Sequence, residues 1–109
     1  MQDPPKIIVI IPALNEEQAI GKVIKEIPDH VQEIIVADNN STDRTEEVAR
    51  LSGATVVLQP EPGYGNACLK AMEHIAEQSV KPDIVVFLDG DHSDHPQEMK
   101  LLIEPIITN

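Results

Sequence analysis

Four short apolar runs alternate with stretches whose apolar residues recur at helical spacing, and this alternation restricts the chain more than any other feature. Residues 6–11 (KIIVII) are almost continuously β-branched, which suits a strand buried on both faces. Residues 33–37 (EIIVA), 54–58 (ATVVL) and 83–88 (DIVVFL) repeat that character. After the first run, Ile20, Val23, Ile24 and Ile27 fall at i, i+3, i+4 and i+7, an apolar helix stripe that Pro28 ends. Asn15 reads as the N-cap of this helix, with Gln18 completing a capping box. Ser41 or Thr42 caps a second helix reaching about Leu51, with Gly53 at its C-terminal side. A third helix follows the Pro/Gly loop at residues 59–65 and carries Cys68, Ala71, Met72, Ile75 and Ala76. Pro96 suits the first turn of a fourth, with Met99, Leu102, Ile103 and Ile106 on one face and Pro105 stopping or kinking it near Glu104.

Strands and helices in strict alternation with short connections imply right-handed crossovers and a parallel sheet. The expected fold is α/β: a three-layer, Rossmann-like open sheet of about four parallel strands with helices on both faces. At 109 residues this is one domain with a real core. Aromatics make up only 2%, so that core must be aliphatic. No apolar run approaches the ~20 residues that cross a bilayer, and residues 1–5 (MQDPP) have no signal-peptide character. With one cysteine, Cys68, no internal disulfide can form, which fits a cytoplasmic protein. A net charge of -11 disfavours nucleic acid and anionic membranes as partners. A phosphorylated small molecule would need something positive in its site, and with only eight Lys and Arg that argues for a bound cation.

Ligands of such sheets bind beyond the carboxyl ends of the strands, so the informative residues follow each run. Asp89-Gly90-Asp91 leaves the fourth directly. Two carboxylates at a strand tip can hold Mg²⁺ or Mn²⁺ and leave positions for phosphate oxygens, while Gly90 lets the backbone bend and a ligand come close. Read alone, the same residues also describe an acidic turn. His92, Asp94 and His95 crowd the same loop; without a Cys cluster or a helical His pair to support zinc, His95 reads as a cap with Glu98. Asp38, after the second run, can accept hydrogen bonds from a base or ribose. Glu16 sits where a helix dipole alone would favour a carboxylate. Residues 63–66 (GYGN) could offer backbone N–H groups to a phosphate, or form only a tight loop.

Together these pieces resemble the N-terminal half of family 2 glycosyltransferases of the GT-A fold, in the branch containing dolichyl- and polyprenyl-phosphate sugar transferases. The resemblance is carried by residues 10–17 (IIPALNEE), 36–43 (VADNNSTD), 63–67 (GYGNA) and 87–91 (FLDGD), in the family's order and spacing. It implies that Pro12, Ala13, Glu16 and Asp38 line a nucleoside pocket, that Gly63, Tyr64, Gly65 and Asn66 lie beside the nucleotide, and that Asp89, Gly90 and Asp91 meet the diphosphate. Asp89 and Asp91 would hold the metal, with Ser93 where some members supply a further polar ligand. The second motif often reads Asp-Asp-Gly in the family; here it is Asp38-Asn39-Asn40, one carboxylate fewer.

The implied activity is inverting transfer from a UDP- or GDP-linked sugar to an acceptor such as a polyprenyl phosphate, with metal stabilising the leaving diphosphate. In the family the acceptor site and the carboxylate base come from the following half of the chain, so no catalytic base is expected among residues 1–109. Alone, the chain is expected to bind donor and transfer little. Apolar surface left uncovered by that half could drive self-association, and a longer form could lie at the membrane periphery. Rival readings fit less well. A nucleotide-sugar-forming nucleotidyltransferase wants a Gly-rich basic loop after the first strand, and a dehydrogenase wants G-x-G-x-x-G there. A phospho-receiver wants paired acids there. A non-catalytic assembly or regulatory α/β module with a vestigial nucleotide site stands as the alternative, and metal-dependent nucleotide binding separates the two.

Overall fold

Each apolar run is a strand. The computed structural model describes residues 5–79 and 81–90, together with the backbone of Glu104–Pro105. Its elements run β1 (Ile7–Ala13), α1 (Ile20–Glu26), β2 (Glu33–Asp38), α2 (Thr45–Leu51), β3 (Thr55–Leu58), α3 (Tyr64–Ala76), β4 (Ile84–Phe87) and β5 (Glu104–Pro105). The sheet order is β3-β2-β1-β4-β5. The first four strands are mutually parallel, as the alternation requires. β5 pairs antiparallel with β4, Ile84 opposite Pro105 and Val85 opposite Glu104.

The four parallel strands are those expected, and β5 adds an antiparallel edge beside them. The expected fourth helix lies almost wholly outside the described residues, but Glu104 and Pro105 are strand, so a helical stripe cannot run on through them to Ile106. Proline's missing N–H is tolerated on an edge strand, where one side of the backbone needs no ladder partner.

Period-two alternation along β1 splits the core into two layers. Ile7, Val9, Ile11 and Ala13 pack with Ile20, Val23 and Ile24 of α1 and with Ala49 of α2. Ile8 and Ile10 face the other way, against Ala67, Ala71 and Ile75 of α3. β2 divides likewise, Val36 to the first layer and Ile35 and Ala37 to the second. Burying an isoleucine side chain contributes roughly 1.5–3 kcal/mol, so β1, covered on both faces, is the axis of the fold.

β1 extends two residues beyond the expected run, through Pro12 and Ala13. Backbone groups of its even-numbered residues point toward β4, since Leu88 N–H donates to Ile10 O at 3.0 Å. Pairing with β4 ends at Ile10 opposite Phe87, so the missing N–H of Pro12 falls where β4 has already left the sheet. On its other side β1 stays paired with β2 as far as Ala13 and Asp38. Proline thus sits where the sheet opens.

Two expected caps are corrected as well. α1 and α2 start at Ile20 and Thr45, and their N-cap residues, Ala19 and Arg44, make no side-chain capping bond. Asn15 and Asn40 instead take left-handed conformations, φ 54° and 62°, turning the chain away from β1 and β2. Asparagine tolerates that region better than most residues. Gly53, after α2, has φ 102° as its expected C-terminal position requires. Among the described residues no helix is long and apolar enough to cross a membrane.

Candidate functional site

The helices that follow β1 and β3 pack on opposite faces of the sheet, so strand order reverses between β1 and β4. Beyond their carboxyl ends lies a cleft of about 400 Å³. The end of β1 supplies Pro12, Ala13, Leu14 and Glu16; the start of α3 supplies Gly63, Tyr64 and Ala67; Asn39, Asp89 and Gly90 complete the lining. Of the residues expected to form a site, Pro12, Ala13, Glu16, Gly63, Tyr64, Asp89 and Gly90 therefore come together. Gly65 and Asn66 lie on α3 but do not line the cleft, and Asp38 does not reach it. Asp91, His92, Ser93, Asp94 and His95 lie outside the described residues.

Asp38 is 3% exposed, and its carboxylate accepts from the Ser41 hydroxyl at 2.5 Å. Ser41 Oγ in turn accepts the Asn15 N–H at 2.9 Å. Asn15 Oδ1 accepts the Thr42 N–H at 2.9 Å, and Thr45 Oγ1 accepts the Glu16 N–H at 2.8 Å. Asp43 accepts from the Thr45 hydroxyl and amide through Oδ1 and from the Glu17 N–H through Oδ2. Residues expected as caps therefore lace the loop after β1 to the loop after β2, and that lacing fixes the cleft wall carrying Leu14 and Glu16. Desolvation, the largest single influence, pushes the Asp43 carboxyl up, but the hydrogen bonds from Thr45 and Glu17 together outweigh it and hold the group below its ordinary value.

Sequence reasoning missed Leu14, Asn39 and Ala67 as cleft residues. Leu14 and Ala67 each sit beside residues that were named, Leu14 one position from Ala13 and Ala67 on the turn of α3 that follows Gly63. For Asn39 the only signal was the departure from the family's usual acid. Its side chain donates to Gln59 O at 2.9 Å and Glu61 O at 2.7 Å and accepts the Gly63 N–H at 3.0 Å. Gly63 itself enters α3 at φ 120°, a conformation that L side chains rarely adopt. At Gly90 a Cβ would come within 3.3 Å of Ala13 Cβ and 3.5 Å of Glu16 Cγ, so a side chain there would press on β1 and the wall.

Among the described residues the lining contains two carboxylates, Glu16 and Asp89, and no Lys or Arg. An anionic ligand would therefore need a cation beside it. Asp89 is exposed at the carboxyl end of β4 and provides a hard oxygen donor of the kind Mg²⁺ and Mn²⁺ take, ions that keep several positions for water or phosphate. Among the described residues no three His, Cys, Asp or Glu side chains cluster closely enough to hold a metal by themselves.

An open parallel sheet with its cleft at the reversal of strand order is the architecture of the nucleotide-handling, Rossmann-like class. Within that class the chain belongs to glycosyl transferase family 2, whose sequence pattern matches residues 8–109. It is 38% identical over 105 residues to protein RfbJ of Shigella flexneri, covering 94% of this chain and 78% of that protein. It is 40% identical over 115 residues to glucosyl-3-phosphoglycerate synthase of Mycobacterium tuberculosis, covering 94% and 34% respectively. The crystal structure of that synthase with uridine-diphosphate matches with a TM-score of 0.71 over 84% of this chain and 36% of that one, at 40% identity. A form holding Mn²⁺, uridine-diphosphate and glucosyl-3-phosphoglycerate matches at 0.70. The chain spans 42% of the length of a mycobacterial glycosyltransferase to which it is 37% identical over 97 residues. The resemblance holds at the level of the family; none of these relatives is named for a polyprenyl-phosphate acceptor.

Proposed function

We propose that this chain binds the nucleoside-diphosphate sugar of an inverting, metal-dependent glycosyl transfer, with UDP as the nucleotide. The observation that carries the reading is the cleft between β1 and β4, where the described residues present Glu16 and Asp89 and no cationic side chain. The mycobacterial relative that holds Mn²⁺ together with uridine-diphosphate supports both the metal and the base. In this reading Pro12, Ala13 and Glu16 border the nucleoside. Asp38 acts behind them, through Ser41 and Asn15. Gly63 and Tyr64, at the start of α3, flank the nucleotide. Asp89 and Asp91 hold Mg²⁺ or Mn²⁺, which supplies Lewis-acid stabilisation of charge on the departing diphosphate.

The acceptor oxygen attacks the anomeric carbon opposite the diphosphate and passes its proton to a carboxylate base. In this reading the base and the acceptor pocket lie outside the donor-binding cleft described above. Support comes from the fraction of its relatives that the chain spans, 34% of the synthase. The acceptor class this reading carries is a phosphorylated compound. The relative is crystallised with phosphoglyceric acid, and a polyprenyl phosphate presents the same phosphate. The protein is placed in the cytoplasm by the same reading.

Calorimetric titration with UDP, GDP and UDP-glucose, in Mn²⁺ and then in EDTA, tests it. UDP and UDP-glucose are expected to bind far more tightly in Mn²⁺ than in EDTA, and Asp89→Ala or Asp91→Ala to weaken the binding in Mn²⁺ while the fold persists by circular dichroism. A folded chain that binds none of the three would point to the non-catalytic α/β module instead.

A further inference from the structure

We propose that Asn39 is the positioning residue of the cleft wall formed by α3: its carboxamide fastens the 59–63 loop to the sheet and so presents Gly63 and Tyr64 to the nucleotide. The clamp stands on its own geometry; its consequence for binding rests on the donor-site reading.

Asn39 follows the last residue of β2, is 9% exposed, and is tied to β1 by its own backbone N–H, which donates to Ala13 O at 2.9 Å. From that anchored base its side chain satisfies three backbone groups of the loop. Both Nδ2 protons are used, on Gln59 O and Glu61 O, while Oδ1 takes the Gly63 N–H. This pattern needs two donors and an acceptor on one short planar group, which of the small side chains only asparagine supplies. Aspartate has the same shape and would set a carboxylate against two carbonyl oxygens. Gln59 N–H donates to Asp38 O at 2.9 Å and ties the loop's first residue to β2, but beyond it the loop's own bonds, Glu61 N–H to Gln59 Oε1 and Asn66 Nδ2 to Pro62 O, knit it to itself without fixing it to the sheet. Gly63, at φ 120° with no side chain to restrict it, is the natural point for that loop to swing from.

Tyr64 is the only tyrosine and there is no tryptophan, so intrinsic emission reports on the cleft wall alone. The experiment compares the wild type with Asn39→Ala, Asn39→Asp and the core variant Ile75→Val, which lowers stability away from the loop. Three quantities are read: amide exchange at Glu61, Gly63 and Tyr64 in the free protein, Tyr64 emission anisotropy, and UDP affinity in Mn²⁺. Both Asn39 variants are expected to speed exchange in the loop and weaken UDP by about tenfold, the scale of lost hydrogen bonds. Both are also expected to lower Tyr64 anisotropy. The isosteric Asp should do no better than Ala, and Ile75→Val should change none of the three. Wild-type behaviour of Asn39→Asp in exchange and anisotropy would overturn the proposal. So would a loosened loop with unchanged UDP affinity, or weakened UDP with an unchanged loop, which would mean that Asn39 meets the nucleotide directly. If the wild type fails to bind UDP, the donor-site reading falls, and exchange and anisotropy still decide whether Asn39 holds the wall.

Discussion

Thr45 shows how much of the cleft depends on single hydrogen-bonding groups. It is fully buried at the first position of α2, where its hydroxyl accepts the Glu16 N–H and donates to Asp43. Thr45→Val keeps the shape and strands both partners, so it should cost about 1–3 kcal/mol, while Thr45→Ser should retain most of the stability; urea denaturation distinguishes them. Asp43 gives this network a pH signature. Its carboxyl lies below the ordinary value when folded, so its contribution is complete above that value and is lost as pH falls through the lowered one. Asp43→Asn should therefore be less stable than the wild type at neutral pH, and the gap should close only below about pH 4. None of this lacing was legible locally. Ser, Thr, Asp and Asn before a helix signal a cap, and these residues carry that signal while bonding across 26 to 29 positions of sequence. The residue types were right and the partners were not. Asn39 is the sharper case: what read as a missing carboxylate is a donor pair that a carboxylate could not supply.

At the scale of elements, periodicity was enough wherever an element buries a face. The stripe Ile20, Val23, Ile24 and Ile27 is buried as expected, and so are Ala71 and Ile75 of α3. Where no face is repeated, nothing marked the element. β5 is two residues long, too short for a hydrophobic alternation to announce it. The extension of β1 through Pro12 was hidden because proline argues against a strand interior, and only the early departure of β4 makes it admissible. The fit of α1 against α2 was also invisible in the sequence. It turns on Gly21, where a Cβ would lie 3.3 Å from Ser52 Oγ and 3.4 Å from Val48 Cγ1. Ser52 can rotate away, so Gly21→Ala should be neutral or more stable by up to about 1 kcal/mol, the helix-propensity gain. Gly21→Leu must part the two helices and should cost about 1–3 kcal/mol. Thermal melts of the pair would show the opposite signs; equal destabilisation would mean that the helices cannot give at all.

Across the whole molecule the dominant fact is charge: 19 acids against eight Lys and Arg, with the acid-lined cleft as its local expression. A free nucleoside diphosphate, itself an anion, meets repulsion on approach, whereas its complex with a divalent cation brings compensating charge to Glu16 and Asp89. These cases respond to salt in opposite directions, because added ions screen repulsion as readily as attraction, with a Debye length of about 10 Å at 0.1 M. UDP affinity measured in EDTA should therefore rise as NaCl is raised, from a weak starting value. The affinity of Mn²⁺-loaded UDP should fall over the same range. If metal-free UDP instead bound more weakly as salt rose, a cationic group would have to reach the ligand, and the argument that this chain borrows its positive charge from a metal would be wrong. The same titration on Asp89→Ala adds a local check on the global effect. Removing one carboxylate should weaken binding in Mn²⁺ and, by lifting part of the repulsion, strengthen binding in EDTA. A variant that lost affinity equally under both conditions would show Asp89 acting by shape rather than by charge.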